Sequence, residues 1–432
     1  MGKRAIALAG GGPAAGLHIG ALMAFEEADI EFDVWALSCI GAWVGIVYNT
    51  RDGKRKAHKT YEFFRDHVFR DDKTYKWFSV NRAFAPDFQK YAEAWRDFAV
   101  QRTDASLFDP AGMATAWLNS VRFWSDPARF ASRAELSAWW LNDVLAVNPV
   151  SRFMTSMIYR SKINGVANIY YPDSAFLKSL EIEKLATLDD TEIYHNAWNL
   201  DRQELQLFHN HPARHQGRGK KPEYRAITAQ SLCACSALPY VEETVWVEDE
   251  HDPTKGADYC EGALIDTVNF EDLLIDHHHN IEQPEQRLQE IWVSRIVDFE
   301  QVRKPQNLHD GLANLCMLFA AEVGSNDVKL FKQHLAKMPG HAPEDKPELL
   351  EIPILKNTQV SFDWTVSNLE RGIKEGYEAA TKRIEEYRDA KKASPAHLGN
   401  GHLPPTKSKR SPAVLKKGNG VGRHPQQASP TQ

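Results

Sequence analysis

Two strand–turn–helix units at the start of the chain constrain its fold more than any other feature. Residues 4–10, RAIALAG, are a short apolar run that breaks into the glycines of GGGPAAG (10–16). A helical pattern follows, with Leu17, Ala21, Leu22, Phe25 and Ala28 on one face. Residues 32–38, FDVWALS, form a second apolar run, and a second helix begins at Gly41. Strand–helix–strand–helix predicts an α/β protein, with a parallel-rich sheet covered by helices in three layers. A chain of 432 residues can hold one large core with a cap, here expected from about 1–55 and 165–340.

The stretch between those blocks has a different character. Residues 56–165 read as helical and hold six of the twelve tryptophans, Trp77, Trp95, Trp117, Trp124, Trp139 and Trp140. This aromatic-rich insertion is expected to be either a plain helical subdomain or a cap and membrane-facing surface. Strand-like runs return at 168–171, 192–198 and 205–208, and 211–222 reads as a basic loop. An amphipathic helix is expected over 363–390, with Val366, Leu369, Ile373, Tyr377, Ala380, Ile384 and Tyr387 at helical spacing. Residues 1–390 thus form the expected folded domain. Residues 391–432 hold eight Lys and Arg and no acid, so the tail carries +8 and the rest −6 − 8 = −14. Such a tail buries too little apolar surface to fold and is expected to be disordered.

Several function classes are disfavoured. The net charge of −6 gives no general signal for nucleic acid. No apolar run approaches the ~18 residues of a membrane span. The start MGKRAIALAGGG has too short an apolar run for a signal peptide, and Ile6 departs from the myristoylation pattern. Five cysteines without a C-x-x-C pair suit reduced thiols in a cytoplasmic setting, and no metal or cofactor is expected.

Three short stretches could carry chemistry. The loop Gly10-Gly11-Gly12 joins a strand to a helix, where backbone N–H groups can face an anion. It suits an oxyanion hole, a dinucleotide pyrophosphate or a bare turn. The dinucleotide reading wants an acid at the end of the second strand, which here ends in WALS. The turn Leu37-Ser38-Cys39-Ile40-Gly41 has the strand–turn–helix setting of the hydrolase elbow G-x-S-x-G. A thiol there, at a helix N-terminus, is expected to have its pKa lowered from ~8.5. The alternative is a buried, inert cysteine. Glu261, before Gly262 and Ala263 in YCEGALIDTVN (259–269), is on its own an ordinary turn into a strand.

In this order the three stretches resemble the patatin-like phospholipases, whose pattern is a glycine-rich oxyanion loop, then G-x-S-x-G, then Asp-Gly-Gly or Asp-Gly-Ala. CACSALPYV (233–241) is similar to the family's Ala-Ser-x-Ala-x-Pro turn, and FDWTVSNLERGIKEGYEAA (362–380) to the closing helix of a bacterial branch. The resemblance places Cys39 on the family's nucleophilic serine and Glu261 on its catalytic aspartate. It places Gly10, Gly11 and Gly12 on the oxyanion loop, with Leu37 on the first elbow glycine. It implies hydrolysis of acyl lipids or phospholipids through an acyl-enzyme, or a catalytically inactive relative that binds lipid or a partner. Ser38 is a minor candidate nucleophile. Any lipid substrate implies peripheral membrane contact, through the tryptophan-rich insertion or the basic tail.

Overall fold

A computed structural model describes residues 2–77, 79–100, 110–125, 132–146, 148, 150–151, 154–155, 163–171, 174–214, 224–249, 252, 254–279, 281, 283, 286–337 and 346–393. Two compact units divide the chain, Met1–Glu386 and Tyr387–Gln432. The described part of the second is the end of the helix Val366–Ala393.

In chain order the strands are β1 (Lys3–Leu8), β2 (Val34–Leu37), β3 (Gly165–Ala167), β4 (Glu192–Asn199), β5 (Glu204–His209), β6 (Tyr224–Ala226), β7 (Tyr240–Glu242), β8 (Val245–Glu248), β9 (Gly256–Glu261), β10 (Leu288–Ser294) and β11 (Glu348–Ile352). The main sheet runs β11-β10-β1-β2-β4-β5-β6, with β9 and β8 added beside β4. From β11 to β4 every pairing is parallel. β5 turns back antiparallel on β4. β3 and β7 form a separate parallel pair. The parallel centre is buried, so β1 and β2 read as continuous apolar runs rather than alternating ones.

One register decides where the chemistry can sit. β2 lies beside the first half of β4 and ends with Leu37 opposite His195. On that same side of β4, antiparallel β9 covers the second half and ends with Glu261 opposite Ala197. The two strands meet nearly head-on, so the residue after β2 and the last residue of β9 converge.

Helices cover both faces. On one, Ala5, Ala7, Val34, Ala36, Ile291 and Val293 pack with Phe270, Val328 and Phe331. On the other lie α1 (Ala15–Glu27) and α2 (Ile40–Thr50), where Phe25 meets Trp292 edge-on at 5.0 Å. The helix Val366–Ala393 crosses α1 too closely for side chains. A Cβ at Gly20 would lie 2.1 Å from the Ile373 carbonyl oxygen, and one at Gly376 equally near that of Leu17.

The insertion is helical as expected, over Lys56–His67, Asp72–Trp77, Phe88–Val100, Pro110–Ser125 and Arg133–Trp139. Its first helix packs on α1 and α2, with Ala57 and Phe64 buried, and so belongs to the core. The strand-like run at 168–171 corrects to β3 at Gly165–Ala167, one turn earlier, because Asn168 instead bridges to Ala85. The long helix starts at Val366 rather than 363, after Asn368 has tied down the Ser361 and Asp363 carbonyls. Residues 215–222 of the basic loop and 394–432 of the tail lie outside the described residues. No described helix is long and apolar enough to cross a membrane.

Candidate active site

Cys39 occupies the turn between β2 and α2 with φ 49° and ψ −123°, a conformation that side-chain-bearing residues rarely adopt. Two contacts hold the strained turn. The Ser38 N–H donates to the Leu8 carbonyl at 3.1 Å. Gly41 lies so near that carbonyl that a Cβ would come within 2.1 Å of its oxygen, so only glycine fits the first turn of α2. Leu37, where the family pattern has glycine, is accommodated: its methyl groups occupy the space a side chain on Gly45 would need, 2.6 Å from that Cβ position. A second glycine one turn along α2 thus absorbs the bulk of the first elbow position.

A buried polar network fastens the acidic loop to this elbow. The Ser38 hydroxyl donates to Asn196 Oδ1 (2.9 Å), and Asn196 Nδ2 donates to Asn269 Oδ1 (2.7 Å) and the Asp266 carbonyl (2.6 Å). Asn269 Nδ2 donates to the Leu37 carbonyl at 2.9 Å. Ser38 is wholly buried and committed to Asn196, so it does not face the cavity. A Cβ at Gly262 would strike Asn196, and one at Gly10 would meet Ala263 at 2.9 Å and Cys39 at 3.2 Å. The glycine loop, the elbow and the acidic loop therefore touch.

The Cys39 thiol and the Glu261 carboxyl are neighbours, close enough for each to shift the other's titration. Both are 7% exposed. Burial pushes the Glu261 carboxyl up to about 7, against a smaller downward pull from the neighbouring thiol. Burial, then the nearby Glu261 charge, also pushes the Cys39 thiol well above its usual range. The expected lowering by the helix N-terminus is overturned, because desolvation and a neighbouring carboxylate outweigh a partial dipole charge. Cys39 is a protonated thiol beside a carboxyl poised near neutrality.

In the glycine loop, the Gly10 N–H already donates to Thr267 Oγ1 at 3.2 Å. Gly12 sits at φ 52°, in the region that favours glycine, with the Phe362 ring 3.3 Å from where a Cβ would lie. His18 fixes the loop's approach: its Nε2 donates to the Ala9 carbonyl (2.9 Å) and its Nδ1 accepts from Ser294 (2.8 Å). Burial lowers its pKa to about 4, so the ring is neutral and Nδ1 is free to accept while Nε2 donates.

These groups form the floor of a cavity of about 520 Å³, within the ~300–1,000 Å³ of ordinary ligand sites. Of the described residues within 56–165, Phe84 reaches it; the helix Leu308–Lys337 supplies Leu312, Leu315 and Phe319. Those three side chains are also partly exposed, so an apolar surface runs from the solvent into the site.

Sequence reading missed four contributors. Cys235 accepts a hydrogen bond from the Cys39 N–H at 3.0 Å. Asn196 lies in the middle of β4 (EIYHNAWN), where several polar residues stand side by side and only burial marks this one as part of a network. Glu242 and Trp43 line the cavity from β7 and α2, and nothing in their local sequence marks them.

The family model for patatin-like phospholipase matches residues 6–274, more than half of the chain and all three motif stretches. The chain belongs to the patatin-like phospholipase family. Members of this family are generally lipid hydrolases. Among solved structures, VipD from Legionella pneumophila is similar at 13% identity and a TM-score of 0.33, covering 89% of this chain and 67% of that one. Human GIVD cytosolic phospholipase A2, in complex with methyl gamma-linolenyl fluorophosphonate, is similar at 11% identity and a TM-score of 0.32. That match covers 90% of this patatin-like chain and 57% of the enzyme's own length. A comparison with curated proteins found no match.

Proposed function

We propose that this patatin-like protein hydrolyses acyl-lipid esters, phospholipids among them, with Cys39 as nucleophile and Glu261 as general base. The observation that carries the reading is the placement of the Cys39 thiol beside the Glu261 carboxyl at the floor of an apolar cavity. With the thiol neutral, Glu261 takes the S–H proton as Sγ attacks the ester carbonyl carbon. The carbonyl oxygen becomes an oxyanion, stabilised by N–H groups of the Gly11–Gly12 loop, since that of Gly10 is engaged by Thr267. Collapse breaks the C–O bond, the leaving alkoxide takes the proton from Glu261, and a thioester remains. Water, deprotonated by Glu261, then attacks the thioester. The fatty acid leaves and the thiol recovers its proton. A carboxyl near 7 is well matched to giving and taking a proton in one cycle.

No cofactor enters this scheme. Lipid reaches the cavity from a membrane surface, past Leu312, Leu315 and Phe319, with the protein bound peripherally in the cytoplasm. The test is hydrolysis of p-nitrophenyl acyl esters by wild type, Cys39→Ala, Cys39→Ser and Glu261→Gln. Loss in Cys39→Ala and Glu261→Gln, with partial activity in Cys39→Ser, supports the reading. Equal residual rates in all four overturn it. One observation favours a second reading, an inactive lipid-binding protein: the thiol is pushed up rather than down. Ester binding without turnover by wild type would establish that reading.

A further inference from the structure

Two polar groups on the wall of the catalytic cavity have no partner. Glu242 ends β7, is 6% exposed, and its Oε2 makes no hydrogen bond. Its neighbour Glu243 is paired with Lys90 Nζ at 2.7 Å, whereas among the described residues no cation pairs with Glu242. Trp43, one turn beyond Cys39 on α2, is almost fully buried, and its indole Nε1–H is likewise without a partner. Buried polar groups are nearly always satisfied, and an orphan costs stability. The residues that carry the two orphans line a cavity whose other walls are largely carbon, such as Phe84, Leu315 and Phe362.

We infer that Trp43 and Glu242 form a polar subsite inside the catalytic cavity that receives a neutral oxygen of the bound lipid, a hydroxyl or carbonyl away from the ester to be cleaved. The chemistry of the two groups selects this ligand. An indole N–H only donates, so it needs an acceptor, which neither a plain hydrocarbon chain nor an ammonium group offers. Burial, with the charge of Glu261 adding, raises the pKa of the Glu242 carboxyl and so favours its protonated form. A carboxylic acid both donates and accepts. A ligand hydroxyl can accept from Trp43 and donate to Glu242, and a ligand carbonyl can accept from both. The oxygen belongs either to the acyl chain or to the alcohol part of the ester.

The inference deepens the hydrolase reading, but its test reads binding and needs no turnover. In the Cys39→Ala protein, calorimetry would compare methyl octanoate, methyl 3-hydroxyoctanoate and 2-hydroxyethyl octanoate. At least one oxygenated ester should bind ~10-fold tighter than methyl octanoate, as one hydrogen bond to a waiting partner provides. Which of the two it is identifies the source of the oxygen. Glu242→Leu and Trp43→Phe should each erase the preference, while Glu242→Gln, still a neutral donor, should keep it. Melting curves check that the variants fold, and Trp43→Phe retains an aromatic ring against Phe176. Equal affinities, no binding of any ester, or a preference that survives both Glu242→Leu and Trp43→Phe would overturn the subsite. So would tighter binding of choline octanoate than of all three neutral esters. Selective binding with no hydrolysis by wild type would instead overturn the catalytic reading and leave the subsite standing.

Discussion

Beneath the floor of the cavity, Ser38, Asn196 and Asn269 are wholly buried and joined by hydrogen bonds of 2.7 and 2.9 Å. At its mouth, Leu315 and Phe319 are half exposed and no described hydrogen bond holds their side chains. The floor joins three chain segments that are far apart in sequence, at 37–41, 196 and 262–269. The mouth is one face of one helix, Leu308–Lys337. The difference reflects what each part must do. On the proposed mechanism a nucleophile and base misplaced by an ångström would lose most of their effect, which an over-determined floor prevents. Entry of a lipid needs only apolar surface, which tolerates many side chains.

The largest effect should come from the floor's reacting group. Cys39→Ala is expected to lower ester hydrolysis at least ~10³-fold with circular dichroism unchanged, because the loss is of covalent chemistry rather than packing. Next is the network beneath it. Asn196→Ala removes three buried hydrogen bonds, from the Ser38 hydroxyl and to the Asp266 carbonyl and Asn269, leaving Ser38 only its longer contact to the Asp266 carbonyl at 3.4 Å, and urea unfolding should show a loss of about 2–3 kcal/mol. An equally stable Asn196→Ala protein would show that the floor is no more constrained than the mouth.

The third prediction concerns pH. Activity should rise as pH increases through about 7, as Glu261 loses its proton and becomes a base. Stability should run the opposite way. The folded-state pKa lies above the unfolded value of 4.5, so the folded chain holds the extra proton between them. Stability is greatest at the acid end of that window and falls as pH rises through it, by on the order of 3 kcal/mol from Glu261. Asp327, also pushed up to about 7, and Glu242 add slopes of the same sign. Melting temperatures from pH 5 to 8 in wild type and Glu261→Gln check this: the variant should have the shallower decline. An identical decline would remove Glu261 as the source.

The mouth should give smaller and more selective effects. Leu312→Ser with Phe319→Ser is expected to reduce partition to phospholipid vesicles roughly tenfold, while stability changes by less than about 1 kcal/mol. Hydrolysis of a short soluble ester should be unaffected. The smallest effect is assigned to the tail. Removing 394–432 should weaken vesicle binding only for anionic lipids and only at low salt, since exposed charges are screened within a Debye length. Equal sedimentation with and without those residues would leave the mouth as the main lipid-binding surface.

The sequence by itself determined the two βα units, the glycine positions and the order of the three motif stretches. These are local matters: apolar runs of strand length, and glycines where a strand turns into a helix, as at Gly12 with φ 52°. Helicity in the insertion and in the helix Val366–Ala393 was equally legible, because periodicity is a local signal. Tertiary structure alone decided the chemistry. Cys39 and Glu261 meet because β2 and β9 end against successive parts of one strand, β4, and no pattern within either segment specifies that register. The helix-terminus rule misjudged the thiol because protonation depends on what surrounds a group, here burial and a carboxylate from 222 residues away. The part of the cavity wall supplied by the helix Leu308–Lys337 was likewise not legible, since composition shows that apolar surface exists but not what it faces. Glu242 stayed hidden for the same reason: a buried acid and an exposed one are written with the same letter, and only packing separates them.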